Sequence, residues 1–420
     1  MMKILVVGKG GREHALITAI SESPTETTIY SFPGSDAIFT LAQPAAGVSD
    51  LPTLIEFMKR EGIDLCVAGE ESYLLTGEGL ANLCKEAGIP CWGPEKQPAH
   101  LEGSKEFAKE FMLRHGIPTG GYAATETAEA AKAAITGYPT VLKFDGLAAG
   151  KGVAVCTDEK MADAFLQEVM VDRKFGEGRM LVEEFLSGPE ISIFASVVDG
   201  DYQILTPARD YKRALDGDGG ANTGGMGAVA SRSGLVAPEL LKEIDDTIVR
   251  PTVEGLQKDG MAYRGFLYFG LMLTPDGPKI IEYNCRFGDP ECEAVMPLLK
   301  GDFAAYLKSA AEGTLQPDLI SFDEGWSICL ILASAGYPAS SRSGDVLDGL
   351  ENVSSPARVY HSGTKQNEEG DFETAGGRVV AIVAGGSTRE KAREAVYGEA
   401  AKVNFPGMQR RSDIGRLHFE

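Results

Sequence analysis

The residues of this chain best suited to chemistry follow an apolar segment that ends near residue 281. Glu282, Asn284 and Arg286 come in quick succession after it. Side chains alternate along a β-strand, so Glu282 and Asn284 are predicted to share one face. A carboxylate and an amide oxygen suit Mg²⁺, a hard cation that also takes phosphate oxygens and water. Arg286, just past the strand, is placed to stabilise charge on a phosphoryl group. A merely polar strand end explains such a cluster poorly.

A glycine-rich turn near the start of the chain predicts an anion site. Gly8, Gly10 and Gly11 follow an apolar segment and precede Arg12 and Glu13. Free N–H groups at a helix N-terminus favour phosphate. The segment is not the dinucleotide fingerprint, because Glu13 stands where the third glycine or an alanine is required. The simpler alternative is a tight turn without a ligand.

A second glycine-rich segment covers residues 143–152. It places Lys143 and Lys151 around Gly146, Gly150 and Gly152. Such a loop can close over a triphosphate, with the lysines meeting its charge. It is not a P-loop, because Gly152 rather than Ser or Thr follows Lys151. An ordinary surface loop is the alternative.

Two further segments complete the set. Residues 182–190 mix acidic and apolar side chains, and an extended segment of this kind can pair its backbone with an adenine edge. Glu190 at its end can accept hydrogen bonds from ribose hydroxyls; solvated glutamates on a surface strand are the alternative. Residues 209–227 combine charges with many glycines. Long loops without secondary structure are usually functional or disordered, so this loop is predicted to lie against a ligand.

The elements that must position these residues alternate at first between strand and helix. Strands are predicted at 3–7 and 64–68, and helices at 12–20, 51–58 and 77–87, which favours a parallel sheet. Ser104 opens a further helix. A smaller α+β unit occupies about 121–190, and strands at 190–197, 266–273 and 279–283 are predicted to be antiparallel. Strands at 326–332 and 378–384 follow, with Ser387 and Glu390 as a capping box for a last helix.

This pattern predicts a multidomain α/β and α+β fold. The predicted domains are an N-terminal Rossmann-like, parallel-sheet substrate domain at 1–103, a central domain at 104–325 and a small C-terminal α/β domain at 326–420. The α+β unit at about 121–190 is predicted to be a mobile lid within the central domain.

The composition excludes several classes of protein. The chain has 420 residues and a net charge of −21, which argues against a nucleic-acid binder. No apolar run reaches the roughly 18 residues of a membrane helix. The first residues lack the apolar stretch and cleavage site of a signal peptide, so we expect a cytoplasmic protein. The 7 Cys form no Cys-x-x-Cys pair, which favours reduced thiols over disulfides or zinc.

In this order and spacing, the five segments resemble the glycinamide ribonucleotide synthetase family of ATP-grasp enzymes. The resemblance covers essentially the whole chain, including residues 361–364, 376–379 and 411–415 of the tail. It implies a pre-ATP-grasp domain, an ATP-grasp domain and a C-terminal domain. It also implies an ATP-dependent ligase that joins glycine to 5-phosphoribosylamine through glycyl phosphate. The products would be glycinamide ribonucleotide, ADP and phosphate, in the second step of de novo purine synthesis.

The resemblance also implies roles for individual residues. ATP would be bound by Lys105, Lys143, Gly150, Lys151, Gly152, Glu183, Glu184, Phe185, Leu186 and Glu190. The catalytic residues would be Asp210, Lys212, Arg213 and Arg286. The other substrates would contact Gly10, Gly11, Arg12, Glu13, Asp216, Asn222, Asp289 and Pro290. Glu282 and Asn284 would bind Mg²⁺ or Mn²⁺.

Two stretches, 33–37 and 68–74, depart from the family pattern, and both lie in the predicted first domain. Three alternatives stay open at this point: another ATP-grasp ligase or carboxylase, a nicotinamide-dependent oxidoreductase, and a nucleotide-binding protein without activity. The expected partners are small molecules, neither nucleic acid nor membrane, and the expected state is a monomer or a weak homodimer.

Overall fold

The computed structural model of this protein describes residues 1–146 and 152–417. Its first part is a five-stranded parallel sheet in the order β3-β2-β1-β4-β5. The strands are β1 (Met2–Gly8), β2 (Thr27–Pro33), β3 (Gln43–Pro44), β4 (Leu65–Ala68) and β5 (Cys91–Trp92). The helices that flank them are α1 (Gly11–Ser21), α2 (Leu51–Glu61), α3 (Ser72–Leu75) and α4 (Leu80–Ala87). The predicted parallel sheet is confirmed.

Strand β1 is buried on both faces, as strands of parallel sheets are. Ile4 and Val6 belong to one hydrophobic core, and Leu5 and Val7 belong to another on the opposite side. Because β1 lies at the centre of the sheet, the turn that follows it at Gly8 opens beside the ends of β2 and β4.

Two helices, α5 (Lys96–Gly103) and α6 (Lys105–Arg114), lead out of this sheet. Ser104 caps α6 as expected, because its Oγ accepts a hydrogen bond from the backbone N–H of Phe107 over 3.2 Å. Substitution of such a cap by alanine typically costs about 1 kcal/mol.

A four-stranded antiparallel sheet follows in the order β6-β9-β7-β8. It contains β6 (Tyr122–Thr125), α7 (Ala128–Ala134), β7 (Thr140–Phe144), β8 (Val153–Cys156), α8 (Glu159–Leu166) and β9 (Met180–Glu184). This unit has a hydrophobic core of its own, which includes Leu142, Leu166 and Val182.

The largest sheet has nine strands and joins the two remaining parts of the chain. Its order is β17-β16-β10-β12-β15-β20-β24-β21, with β11 paired to β10. The strands are β10 (Glu190–Val198), β11 (Asp201–Ile204), β12 (Ala208–Asp210), β15 (Gly227–Ser231), β16 (Arg264–Thr274), β17 (Gly277–Asn284), β20 (Trp326–Ala333), β21 (Arg358–His361) and β24 (Arg378–Gly386). The pairing of β15 with β20 carries the sheet across residue 325, a continuity that local sequence patterns do not predict.

Short strands and helices complete the fold. Two-stranded pairs are formed by β13 (Arg213–Leu215) with β14 (Gly219–Asn222), β18 (Leu299–Gly301) with β19 (Ile320–Phe322), and β22 (Thr364–Gln366) with β23 (Phe372–Thr374). The helices are α9 (Pro238–Ile244), α10 (Arg250–Lys258), α11 (Glu291–Val295), α12 (Phe303–Ala311) and α13 (Arg389–Ala400).

The cap of α13 differs from the prediction. Thr388, not Ser387, is the N-cap, and its hydroxyl accepts from the backbone N–H of Lys391 over 3.3 Å. Ser387 has the Glu390 of the capping-box pattern three residues after it, but α13 begins at Arg389, so Thr388 is the residue that directly precedes the helix.

Within residues 1–146 and 152–417, no helix combines the length and the apolarity needed to cross a bilayer. All seven cysteines are free thiols.

Candidate active site

A β-bulge in β17 turns Glu282 and Asn284 to the face opposite the buried Ile280. The pairing of β16 with β17 shifts register, and Ile281 is the extra residue. As a result Ile280 and Tyr283 are both buried in the core although they lie three positions apart, whereas Glu282 and Asn284 stay partly exposed. Bulges re-aim side chains in this way and are frequent beside active sites. The two predicted metal ligands therefore share a face, as expected.

Four charged side chains meet at this face and are called the central group: Glu190, Asp210, Lys212 and Glu282. Lys212 Nζ lies 2.9 Å from a carboxylate oxygen of Glu190 and 3.6 Å from one of Glu282. Burial alone would lower the pKa of Lys212, but attraction by the three carboxyl groups raises it well above its usual value. Lys212 is therefore a firmly charged cation in the middle of acidic neighbours.

Two carboxyl groups of the central group, those of Glu282 and Asp210, have pKa values that are shifted in opposite directions. Burial alone would raise the pKa of Glu282, but Lys212, Lys143 and Lys105 hold it below its usual value. Burial raises the pKa of Asp210 to about 8, in spite of the nearby Lys212. Such divergence between adjacent carboxyl groups is typical of sites that divide acid and base roles.

A second cluster, called the Glu183 cluster, consists of Lys109, Lys143 and Glu183. Both lysine Nζ atoms lie 3.0 Å from the same Glu183 oxygen, and the three side chains are between 3% and 7% exposed. Lys143 Nζ also donates to the carbonyl of Ile281 over 3.0 Å. The cluster thus connects the four-stranded sheet to α6 and to the bulge in β17. Lys143 reaches the Glu282 face by this contact.

The other predicted ATP ligands surround this cluster where the structure describes them. Lys105 Nζ donates to the carbonyl of Gly146 over 3.1 Å, and Glu184 accepts from the N–H of Gly121 over 3.0 Å. Phe185 is exposed and Leu186 half-buried at the end of β9. Gly152 accepts from the N–H of Phe144. Gly150 and Lys151 lie outside the described residues.

Arg286 is held by acidic residues from the first part of the chain. Its Nε is 3.0 Å from Glu71 Oε2, and another guanidinium nitrogen is 2.6 Å from Glu102 Oε1. The same Glu71 oxygen lies 3.8 Å from Arg12. Asn284 completes the network when its amide is oriented with the nitrogen towards Glu102 and the oxygen towards Arg286, and each of these contacts is then 3.2 Å long. Glu71 therefore bridges two arginines whose positions in the sequence are far apart.

The pKa values of Glu71 and Glu102, the two carboxyl groups paired with Arg286, are shifted in opposite directions. Burial alone would raise the pKa of Glu71, but Arg286 and Arg12 lower it to about 2. Glu102 behaves oppositely, because burial raises its pKa to about 7 against the attraction of Arg286. Arg286 is paired with Glu71 and Glu102, and Arg12 with Glu71 and Glu13, so acidic partners hold both guanidinium groups.

Glu13 stabilises the glycine-rich turn after β1. Glu13 accepts from the N–H of Gly10 and from Arg12 Nε, both over 2.7 Å. A Cβ atom at Gly8 or Gly69 would lie 2.5 Å from the Glu13 side chain. Both oxygens of Glu13 are thus engaged at the start of α1, and the glycines are needed for its close packing. Gly11 faces Glu293, where a Cβ atom would come within 2.5 Å of a carboxylate oxygen.

Three residues predicted to contact substrate or to act in catalysis lie on the hairpin of β13 and β14. Arg213 donates to Asn222 over 3.1 Å, and Asp216 accepts from the N–H of Ser412 over 2.7 Å. Arg411, fully buried, pairs with Asp218 on the same hairpin. Asp216 and Asp218 thus anchor the hairpin to the tail, whereas Arg213 and Asn222 join its two strands. The structure does not place Arg213, Asp216 or Asn222 in the central group.

Asp289 and Pro290 lie where the 209–227 loop meets β24. Arg378 pairs with Asp289 over 2.8 Å and donates to the carbonyl of Gly224. A Cβ atom at Gly225 would lie 2.5 Å from the Pro290 ring, so glycine is required for this approach. Asp289 also adjoins Gly10, since a Cβ atom at Gly10 would lie 3.8 Å from Asp289 Oδ2.

Comparison with known proteins assigns the chain to a family. Three family models match in order: the N domain of phosphoribosylglycinamide synthetase at residues 2–102, its ATP-grasp (A) domain at 103–292 and its C domain at 327–417. A phosphoribosylamine–glycine ligase from Caldanaerobacter subterraneus is 41% identical over 418 residues, covering 98% of this chain and 99% of the relative. This chain belongs to the phosphoribosylglycinamide synthetase family. One from Listeria innocua is 40% identical, with 99% of each chain covered.

Solved structures agree with this family. The crystal structure of the phosphoribosylamine–glycine ligase from Thermotoga maritima has a TM-score of 0.85 and 32% identity, covering 98% of this chain and 100% of that one. The biotin carboxylase domain of a 2-oxoglutarate carboxylase from Hydrogenobacter thermophilus has a TM-score of 0.73 at 19% identity, covering 97% and 91%. At that identity the likeness concerns the fold alone. Family membership removes the nicotinamide-dependent oxidoreductase from consideration.

Several residues of this phosphoribosylglycinamide synthetase site were missed by sequence reasoning. Glu71 lies in the stretch 68–74 that departs from the family pattern, and Arg378 lies in a tail segment that carried the resemblance. Both segments were therefore marked by the sequence, but no role was predicted for these two residues. Glu102 and Lys109 lie among helical residues, where their sequence neighbours give no sign of the ion pairs they form.

Proposed function

We propose that this chain joins glycine to 5-phosphoribosylamine at the expense of ATP, as its phosphoribosylamine–glycine ligase relatives are named for doing. The carboxylate of glycine attacks the γ-phosphate to give glycyl phosphate, and the amine then displaces phosphate. Glycinamide ribonucleotide, ADP and phosphate result, in the second step of de novo purine synthesis. The observation that carries the proposal is the central group, in which Lys212 stands between Glu190 and Glu282, within a chain that matches the family from end to end.

The ATP end of the site is proposed at the Glu183 cluster. Lys143 is held between Glu183 and the carbonyl of Ile281, so its ammonium lies next to the strand that carries Glu282. Burial lowers the pKa of Lys105, and phosphate oxygens offer such a lysine a better partner than the Gly146 carbonyl does. The backbone and side chains of residues 183–186 are proposed to hold the adenine, with Glu190 at the ribose. The loop with Gly150, Lys151 and Gly152 is proposed to cover the phosphates.

Glu282 and Asn284 fit a divalent metal. Glu282 is ionised at neutral pH, since its pKa is lowered, and Asn284 adds an amide oxygen from the same face. Hard oxygen donors of this kind suit Mg²⁺, and Mn²⁺ accepts the same ligands. When bound with ATP, the ion would neutralise charge on the phosphate oxygens. The Asn284 oxygen would then face the ion instead of Arg286. Arg286 is proposed to stabilise charge on the transferring phosphoryl group.

Asp210 is proposed to take the proton that the attacking amine loses. Its pKa of about 8 lies close to neutral pH, where proton transfer to and from a carboxyl group is most efficient. Lys212 beside it would stabilise the negative charge that develops on the acyl phosphate. Gly10, Gly11, Arg12 and Glu13 are proposed to help bind the phosphoribosylamine, together with the region of Asp289 and Pro290.

The three functional units are proposed at 1–103, 104–325 and 326–420, with the lid at about 121–190. The continuity of the nine-stranded sheet across residue 325 supports a rigid connection between the last two units. Arg411 and Ser412 of the last unit hold the 213–222 hairpin. We also propose that the enzyme works in the cytoplasm, as a monomer or a weak homodimer.

The decisive experiment measures phosphate release from Mg-ATP by the full chain. We expect release only when glycine and freshly generated phosphoribosylamine are both present. A parallel reaction with bicarbonate in place of glycine tests for a carboxylase. Release that follows bicarbonate, or none with the full set of substrates, would overturn the proposal.

The metal assignment is tested with Glu282→Ala and a control. Removal of one preorganised electrostatic contact typically costs about 100-fold or more in rate, so Glu282→Ala is expected to lose at least that. Glu254→Ala, on the exposed side of α10, is expected to keep wild-type turnover. Circular dichroism should show both variants folded. Wild-type rates in Glu282→Ala would refute the assignment.

A further inference from the structure

Three cysteines from separate elements converge in the first part of the chain. Cys66 lies in β4, Cys84 in α4 and Cys91 in β5, and their sulfur atoms all lie within 4.8 Å of one another. Cys66 and Cys91 are direct partners in the parallel pairing of β4 with β5. Helix α4 packs over this pair and adds the third thiol. The convergence is invisible in the sequence, where the three residues form no metal-binding spacing.

The surroundings of these thiols are apolar, with one point of access. Cys66 and Cys84 are fully buried in the hydrophobic core between the parallel sheet and its helices. Cys91 is partly exposed, because β5 is the last strand at its edge of the sheet. An ion can therefore reach the cluster at Cys91 while the other two sulfurs are shielded from water.

The donor set defines what such a site prefers. Across the described part of the chain, no His, Asp or Glu joins the three sulfurs within the same distance. Thiolates select soft cations, Cu(I) and Zn²⁺ among them, but Zn²⁺ in structural sites takes four ligands. Three sulfurs in a plane around one ion at about 2.3 Å would be roughly 4.0 Å apart. The observed separations need to shrink by less than about 1 Å, which small rotations of the side chains can supply.

We propose that Cys66, Cys84 and Cys91 form a three-coordinate site for a monovalent soft cation, Cu(I). The site shares no residue with the central group or the Glu183 cluster. A bound ion cross-links β4, α4 and β5, and since the three sulfurs converge only in the folded chain, it stabilises this part of the fold. Binding also releases protons, because each thiol must lose its proton to become a ligand.

The test uses the full chain under anaerobic conditions with a phosphine reductant, titrated with Cu(I) supplied as its acetonitrile complex against a chromogenic Cu(I) chelator. We expect one tightly bound ion per chain, a near-ultraviolet thiolate-to-copper absorption band, and a higher melting temperature. Cys91→Ser, at the exposed edge, should fold normally and lose all three signals. Cys84→Ala serves as a second variant that introduces no buried hydroxyl.

Cys156→Ser is the matched control, since Cys156 is a buried thiol in the separate core of the four-stranded unit. It should retain the stoichiometry, the band and the shift in melting temperature. Equal copper binding by Cys91→Ser and Cys84→Ala, binding lost in Cys156→Ser, or tighter retention of Zn²⁺ than of Cu(I) would each overturn the proposal. Failure to bind Cu(I) at all would do the same, and ligase activity plays no part in the readout.

Discussion

Replacement of Glu183 by glutamine tests how the four-stranded unit is held to the rest of the molecule. Glu183 is the single carboxylate shared by Lys109 and Lys143, with both contacts at 3.0 Å and all three side chains nearly inaccessible. Removing one partner from a buried ion pair costs about 3–5 kcal/mol, mainly because a charge is left uncompensated. The change preserves the size of the side chain, so packing stays the same.

The lower end of that range is expected here. Lys109 keeps its hydrogen bonds to Thr119 Oγ1 and to the carbonyl of Gly120, at 3.0 and 2.9 Å, and Lys143 keeps the one to the carbonyl of Ile281. The glutamine oxygen can also accept from one of the lysines. These contacts compensate part of the charge that Glu183 would leave unpaired, so we expect the stability of the four-stranded unit to fall by about 3 kcal/mol.

Amide hydrogen exchange followed by mass spectrometry is the suitable assay. The only two tryptophans, Trp92 and Trp326, lie outside residues 121–190, so their fluorescence would not report opening of this unit. A loss of about 3 kcal/mol corresponds to exchange that is roughly 100-fold faster in peptides from β7 and β9. Glu177→Gln is the control in the same unit, because its pair with Arg173 is exposed and such pairs contribute about 0–1 kcal/mol.

The pH dependence gives an independent check. Burial already lowers the pKa of Lys109, and loss of Glu183 lowers it further, so the folded variant binds fewer protons than the unfolded chain. Stability of the variant should therefore recover as pH rises from 7 towards 10. Unchanged exchange in β7 and β9, or equal acceleration in Glu177→Gln, would refute the argument.

Two further changes test other parts of the site. Glu71→Gln leaves Arg12 and Arg286 without their shared carboxylate, and we expect kcat/KM to fall about tenfold with the fold intact. The control Glu70→Gln should have a kcat/KM near that of the wild type. A larger loss in Glu70→Gln than in Glu71→Gln would contradict the assignment. Glu293 is fully buried, and burial with the nearby Asp289 raises its pKa well above the usual value. The contribution of Glu293 to stability should therefore fall as pH rises above about 4.3, by at most about 1.4 kcal/mol per pH unit. Glu293→Gln removes that loss, so its advantage in urea denaturation should be larger at pH 8 than at pH 5, and parallel pH profiles would contradict this.

Local patterns predicted the elements well, because periodicity and capping depend on neighbouring residues. The strand that became β1, the helix opened by Ser104 and the antiparallel strands β10, β16 and β17 are all present as expected. The cap of α13 was wrong by one residue, since Ser387 and Thr388 both carry a hydroxyl that can accept the bond. Domain boundaries and the roles of individual site residues stay predictions.

The long-range contacts of the site could not be predicted in this way. Glu71 and Arg286 are separated by 215 positions and meet only because the parallel sheet packs beside the end of β17. The contact of Ser412 with Asp216 spans 196 positions. Pairings of this kind depend on how sheets and helices stack, which no window of neighbouring residues contains.

The sequence by itself determined the family and the order of the chemical segments, and it predicted the side chains that would contact ATP, because these depend on residue type and spacing along one strand or turn. The tertiary structure decided the rest. It supplied the bulge at Ile281 that turns Glu282 and Asn284 to the face opposite Ile280, and it placed Lys212 between two carboxylates from different strands. It also shifted the pKa values of Asp210 and Glu282 in opposite directions, since a pKa depends on burial and on charges brought close by folding.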